Sequence, residues 1–141
     1  MDAEQGQREL LDAAAEALRQ AHAPYSRLRV GAALRSGSGR VFSGCNLESA
    51  AFPVGGCAEH HAIAAAVRAE GGSMRIAEIL VLAEDGHGKL PAIPPCGACR
   101  QLIHEFGPQA AVLFRGGDGR IERHSIAELL PHSFSLGADQ D

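Results

Sequence analysis

Tryptophan is absent from this sequence, tyrosine occurs once, and aromatic residues together make up only 4% of it. Ala, Val, Leu and Ile must therefore fill most of any core. Equally absent is an apolar run long enough to cross a bilayer as a helix. The opening residues, Met1-Asp2-Ala3-Glu4-Gln5, lack the basic flank and apolar stretch of a signal peptide, so the expectation is a cytoplasmic protein without a membrane partner. Nor is there a surplus of positive charge. Thirteen Lys and Arg face seventeen Asp and Glu, a formal net charge of −4, which argues against a nucleic acid polymer, because phosphate binding needs excess Lys and Arg. Internal repeats and long linkers are missing too. The 141 residues, 45% of them hydrophobic, are expected to form a single domain, 1–141, with one modest core and a loose tail after about residue 136.

What the sequence does contain is alternating helix and strand grammar. Leu10, Leu11, Ala14, Ala15 and Leu18 give the spacing of an amphipathic helix over 7–21, ended by Ala23-Pro24. Leu28 to Leu34 reads as a strand, Ser36-Gly37-Ser38-Gly39 as a turn, and Val41 opens a short second strand. Cys57 to Ala69 is an Ala-rich helix stopped by Gly71-Gly72. Ile76 to Ala83 suits a buried central strand. Pro91 to Pro95 enforces an extended approach to a helix over 97–106. Strands at 110–114 and 120–124 flank the Gly116-Gly117-Asp118-Gly119 turn, and Ser125 with Glu128 forms a capping box for a last helix. The order α-β-β-α-β-α-β-β-α points to one mixed sheet with helices on both faces.

Four cysteines in a reducing compartment are thiols or metal ligands before they are disulfides. Three of them sit where helices begin, in Cys57-Ala58-Glu59 and Pro95-Cys96-Gly97-Ala98-Cys99. A C-x2-C pair at a helix start presents two thiolates to one metal, and the helix N-terminus favours their ionised form. Cys57 can supply a third sulfur, which leaves one tetrahedral position of a zinc ion open, as catalytic sites require. Glu59, two residues after a ligand, can move the proton of an activated water to a ring nitrogen and a departing amine. This ligand set and carboxylate are those known in zinc nucleobase deaminases, so the mechanism is recognised, not independently derived. The competing reading is a closed four-cysteine structural site with Cys45 as fourth ligand, which would leave Glu59 without a role.

At these residues the sequence resembles the small tetrameric cytidine deaminases, over nearly the whole chain. The matching stretches are Pro24-Tyr25-Ser26, Val30 to Leu34, Gly44-Cys45-Asn46, Cys57-Ala58-Glu59, Pro95 to Gln101 and Glu128 to Pro131. The resemblance implies a three-layer α/β/α sandwich around a five-stranded mixed sheet, with Zn²⁺ between two helix N-termini. It implies that Asn46 and Glu48 hold ribose hydroxyls, that the Ala58 N–H meets the pyrimidine carbonyl, and that Glu59 meets N3 and the attacking oxygen. It also implies a homotetramer with shared active sites, in which Phe134 packs over an adjacent subunit's substrate.

Departures cluster around the substrate. His60, followed by His61, stands where the family has Arg, and is expected to donate to a ligand sulfur. Arg100 either offsets the site's negative charge or joins a subunit salt bridge. Leu28 replaces an aromatic that stacks on the base, Ser49 replaces Asn, Phe52 replaces Tyr, and Gly55-Gly56 leads into Cys57. The leading expectation is hydrolytic deamination of cytidine or deoxycytidine. One alternative is a modified cytidine or another amino-heterocycle such as blasticidin S, although Asn46 and Glu48 speak for ribose recognition. Another is a catalytically silent zinc-stabilised binding module. A polynucleotide substrate is disfavoured by the acidic balance and the lack of a basic, aromatic-rich arm.

Overall fold

The first helix begins earlier than its apolar period indicates. Helix α1 spans Ala3–Arg19 because Asp2 caps it: the Asp2 carboxylate accepts from the Gln5 N–H at 2.8 Å, and the Gln5 side chain closes a capping box. The computed structural model describes residues 1–137; of the tail expected to be loose, 138–141 lie outside the described residues. The remaining elements fall within two residues of the sequence boundaries. They are β1 (Arg29–Ser36), β2 (Val41–Cys45), α2 (Ala58–Glu70), β3 (Ile76–Glu84), α3 (Gly97–Phe106), β4 (Ala111–Arg115), β5 (Ile121–Ser125) and α4 (Ile126–Leu129). A short 3-10 turn at Phe52–Val54, which the sequence pattern does not signal, precedes α2. Among the described residues, no helix is long and apolar enough to cross a membrane.

The five strands form one mixed sheet in the order β2-β1-β3-β4-β5. Alternation along the strands divides the core in two. Ala33, Leu80, Leu82 and Leu113 face α1, where Leu10, Ala14 and Leu18 meet them. Ala32, Leu34, Ile79, Val81, Val112 and Phe114 face the other way, against α2, α3 and α4. The result is the expected α/β/α sandwich. Each fully buried Leu or Ile contributes roughly 1.5–3 kcal/mol relative to exposure, so both faces are needed in a chain this short of aromatics.

Topology decides where chemistry can occur. Strands β2 and β3 both run antiparallel to β1 and are therefore parallel to one another, while β3 and β4 pair in parallel. Helix α2 connects β2 to β3, and α3 connects β3 to β4, on the same face. Both helices consequently start from the same end of the sheet, the carboxyl end of its parallel strands, where open α/β sheets place their ligands.

Two glycines allow the layers to approach closely. A Cβ on Gly31 of β1 would lie 2.1 Å from the Ala14 carbonyl oxygen of α1. One on Gly44 of β2 would lie 2.5 Å from the Ala62 nitrogen of α2. On that helix Ala58, Ala62 and Ala66, spaced i, i+4, are all fully buried and form the stripe that lies on the sheet. Because the obstructing atoms are backbone, no side-chain rearrangement relieves the clash. Gly31→Ala is expected to destabilise the protein by about 2 kcal/mol or more, the upper part of the range for overpacked cores, read as a drop in urea midpoint at unchanged slope.

Candidate active site

Cys57 is the N-cap residue of α2, and Cys96 is the N-cap of α3. Neither caps its helix through a side-chain hydrogen bond, so both sulfurs are free to face one another. Cys99, in the first turn of α3, is buried beneath them. The three Sγ atoms all lie within 4.8 Å of each other, with Cys57 and Cys96 4.0 Å apart. A tetrahedral zinc with ~2.3 Å bonds to sulfur requires sulfurs roughly 3.8 Å apart, so the residues fit the ion. Cys45 stands outside this group. Three ligands leave a position open; a closed four-cysteine site is not what the chain builds.

Charge is crowded here. The Cys57 sulfur, accepting a hydrogen bond from the Cys99 thiol, is brought down to about 6, with the nearby His60 and His61 also favouring its ionised form. Cys99 is pushed up by the same hydrogen bond and by burial. Glu59, only 4% exposed, is raised above the usual carboxylate range by desolvation first and by the Cys57 charge after it. A divalent cation is what lets such a donor set ionise together.

A cavity of about 500 Å³ opens over these groups. Cys57, Ala58, Glu59 and Cys96 line one end. Leu28, Val30, Ile93 and Pro94 line its apolar part, and Asn46, Glu48 and Ser49 its polar part. Ala58 opens α2 and is fully buried, and first-turn N–H groups of a helix have no intrahelical partner. Phe52 also lines the cavity but is 75% exposed, edge-on to Tyr25 at a centroid distance of 6.0 Å.

Asn46 and Glu48 are built into the walls. The Asn46 Oδ1 accepts from the Val30 N–H, and its Nδ2 donates to the Leu28 carbonyl, each at 2.8 Å. The Glu48 carboxylate accepts from the N–H groups of Tyr25 (2.9 Å) and Ser26 (3.1 Å) and from the Ser26 hydroxyl. These bonds hold its carboxyl below the usual range, the Ser26 hydroxyl contributing most.

Three expected site residues lie elsewhere than over the cavity. His60 is exposed and stacks on His61 at 5.9 Å; among the described residues its ring donates to no sulfur and influences Cys57 by charge. The Arg100 guanidinium is taken up by the carbonyls of Pro95 (2.8 Å) and Leu129 (2.9 Å), tying the turn before Cys96 to α4. Phe134 is 64% exposed and absent from the cavity wall of its own chain; the Gln101 amide holds its carbonyl at 2.7 Å. The sequence reading gave no role to Tyr25, Ser26, Val30, Leu47, Ile93 or Pro94, all of which line the cavity. Tyr25 and Ser26 lay inside a matching stretch. Ile93-Pro94 carried no signal beyond extended backbone.

Three convergent thiols at paired helix starts with a buried glutamate beside them define the site of a zinc-dependent hydrolytic deaminase. The family model for the cytidine and deoxycytidylate deaminase zinc-binding region matches residues 4–115, and the chain belongs to that family. A cytidine deaminase of Sporosarcina psychrophila is 39% identical over 121 residues, covering 85% of each chain. One from Mycobacterium tuberculosis is 37% identical over 123 residues, 87% of this chain and 85% of that one. The crystal structure of cytidine deaminase from Burkholderia pseudomallei superposes with a TM-score of 0.79 at 38% identity, covering 95% of this chain and all of that one. That of the M. tuberculosis protein gives 0.74 at 33% identity, covering 92% and 98%.

The Glu48 bonds generate a pH prediction. Its folded pKa is depressed, so its contribution is fully present above the unfolded value of about 4.3 and is lost as pH falls through the lower folded value. Thermal midpoints of wild type and Glu48→Gln, measured against pH, should differ at neutrality and converge only as the pH falls through the lowered folded value of Glu48. A gap that stays constant with pH would mean that the ionised carboxylate does not hold the 25–26 turn.

Proposed function

We propose that the protein hydrolyses the exocyclic amine of cytidine and deoxycytidine, giving uridine or deoxyuridine and ammonia, in the reducing cytoplasm. The observation that carries this reading is the placement of Glu59, buried and raised in pKa, beside the three-thiol group in a cavity of nucleoside size. Zinc held by Cys57, Cys96 and Cys99 supplies Lewis-acid activation of the water that attacks the base. Glu59 takes one proton from the attacking water and delivers it to N3, where it stays, and then carries the second, from the hydroxyl formed at C4, to the amine as it leaves. A carboxyl desolvated in this way is suited to the role, because its affinity for the proton moves towards the operating pH. The Ala58 N–H, at the start of α2, is directed to the pyrimidine carbonyl.

The base lies against Leu28, Val30, Ile93 and Pro94, and the ribose lies towards Asn46 and Glu48. Their internal bonds leave capacity for it. A carboxylate has about four acceptor positions, and Glu48 uses three. Asn46 retains one N–H and one lone pair beyond the two bonds it makes. A second reading, a cytidine modified on the ring or amine, is favoured by the aliphatic Leu28 on the cavity wall.

The rim calls for partners. Tyr25, Phe52 and Val54 are between 57% and 75% exposed, apolar surface beside the cavity of the kind that marks an association site, and Phe134, away from the cavity of its own chain, is 64% exposed. We assign this surface to a homotetramer with shared active sites, in which Phe134 closes a neighbour's cavity. Light scattering on a sizing column should give a mass four times that of the chain, and Phe134→Ala should raise KM for cytidine more than it lowers kcat.

The deciding experiment is ammonia release from cytidine, deoxycytidine and ring- or amine-modified analogues, with Glu59→Gln alongside. Glu59→Gln should lower kcat by about 10²-fold or more while zinc content stays near that of wild type. Turnover of an analogue without turnover of cytidine would select the second reading. Turnover unaffected by the substitution would remove Glu59 from the chemistry.

A further inference from the structure

His61 bonds to backbone and not to a sulfur. It is the fourth residue of α2, its N–H making the helix's first bond to the Cys57 carbonyl at 3.1 Å. Its ring is half-buried, with Nδ1 2.7 Å from the carbonyl oxygen of Cys45 at the end of β2. A carbonyl can only accept, so Nδ1 carries the proton and donates. The opposite edge of the ring rests on Gly56: a Cβ there would lie 2.5 Å from Nε2 and 2.9 Å from Cε1. Gly56 in turn exchanges two backbone hydrogen bonds with Leu47, at 3.0 and 3.1 Å. Leu47 sits between Asn46 and Glu48, and that short strand is fixed on its other side by the His22 N–H to Asn46 and the Glu48 N–H to His22.

One imidazole, carried by α2, therefore touches two further backbone segments that lead into the site. Cys45 leads directly into Asn46, Gly56 leads directly into Cys57, and α2 carries Ala58 and Glu59. We propose that His61 is a positioning residue, a wedge that sets the spacing between the nucleoside-facing strand Asn46–Glu48 and the Cys57 thiolate. This rests on the reading of Cys57 as a zinc ligand and of Asn46 and Glu48 as the ribose side. The role needs no proton transfer from His61. It needs a flat side chain with a donor two bonds beyond Cβ and a glycine opposite.

That requirement separates substitutions that a general packing role would not. The Asn amide nitrogen occupies the place of Nδ1, so His61→Asn retains the bond to Cys45. His61→Leu retains bulk and loses the donor. With zinc-loaded protein, His61→Leu should raise KM for cytidine and speed zinc loss to a chelator, each by about ten-fold, the lower end for groups supporting a metal ligand. Turnover per zinc-loaded chain should change far less, and His61→Asn should recover most of both losses. Equal losses in the Leu and Asn variants would overturn the donor role.

The Gly56 contact is tested separately by a double-mutant cycle on zinc retention and thermal midpoint. Gly56→Ala should be damaging beside His61 and nearly neutral in the His61→Asn background, where the side chain is shorter. Equal cost in both backgrounds would overturn the wedge. Wild-type protein that holds no zinc or releases no ammonia from cytidine would count against the functional reading instead. The cycle on thermal midpoint would still decide whether His61 and Gly56 are coupled.

Discussion

Everything at the carboxyl end of this sheet is organised by the need to balance negative charge at one point. Three sulfurs lie within 4.8 Å, with a buried carboxyl behind them. Two helices begin there, and each N-terminus is equivalent to about half a positive charge. Together they compensate about one thiolate. The hydrogen bond from the Cys99 thiol works in the same direction, bringing Cys57 down to about 6 and holding Cys99 above the usual thiol range. Ionising the other two thiols requires two further positive charges. A zinc ion brings that number, so the donor set, the helix ends and the metal form a nearly neutral unit.

This balance depends on the helices arriving together, and their arrival is a matter of packing. Helix α2 lies flat on the sheet because its facing residues are Ala58, Ala62 and Ala66 and because Gly44 leaves room for its backbone. Helix α3 starts after a segment fixed by the fully buried Pro95 and by Arg100, whose guanidinium ties the Pro95 carbonyl to α4. The final turn, with its Ser125–Glu128 capping box, is thereby connected to the metal site although it contributes no residue to the cavity. On the opposite face α1 presses against Gly31, and β1 carries that constraint to Val30 on the cavity wall.

Much of this was legible in the sequence, for identifiable reasons. Helix and strand periods survive in an aliphatic core, so each regular element was found, and the cysteine spacing with Glu59 identified the metal group. The start of α1 was missed because the apolar period begins at Leu10, whereas the helix is initiated by the polar pair Asp2 and Gln5. The short 3-10 turn at Phe52–Val54 has no period at all. Side-chain destinations were the least readable. Spacing alone does not reveal that Arg100 bonds to carbonyls from 95 and 129, or that His61 turns inward to Cys45 while His60 turns out. Those choices are made by backbone carbonyls brought near by the tertiary fold. Residues without a motif of their own, Ile93 and Pro94 among them, enter the cavity only because α3 must begin at Cys96.

The division between fixed and variable positions around the cavity follows from the same bonds. Asn46 grips β1 by its backbone, the Val30 N–H and the Leu28 carbonyl, and Glu48 grips the turn at Tyr25 and Ser26. Replacing either would release a wall, so both are held whatever the substrate. Leu28 is placed by that backbone contact and not by its side chain, so the side chain can change from aromatic to aliphatic without moving the strand. Phe52, mostly exposed, and Ser49, whose hydroxyl accepts from the nearby Ala51 N–H, are similarly placed by local bonds or none. Of the departures from the family pattern, Leu28, Ser49 and Phe52 fall on such positions, whereas Gly56 is packed against the His61 ring. Changes at Leu28, Ser49 and Phe52 leave the three-thiol geometry and the bonds of Asn46 and Glu48 in place.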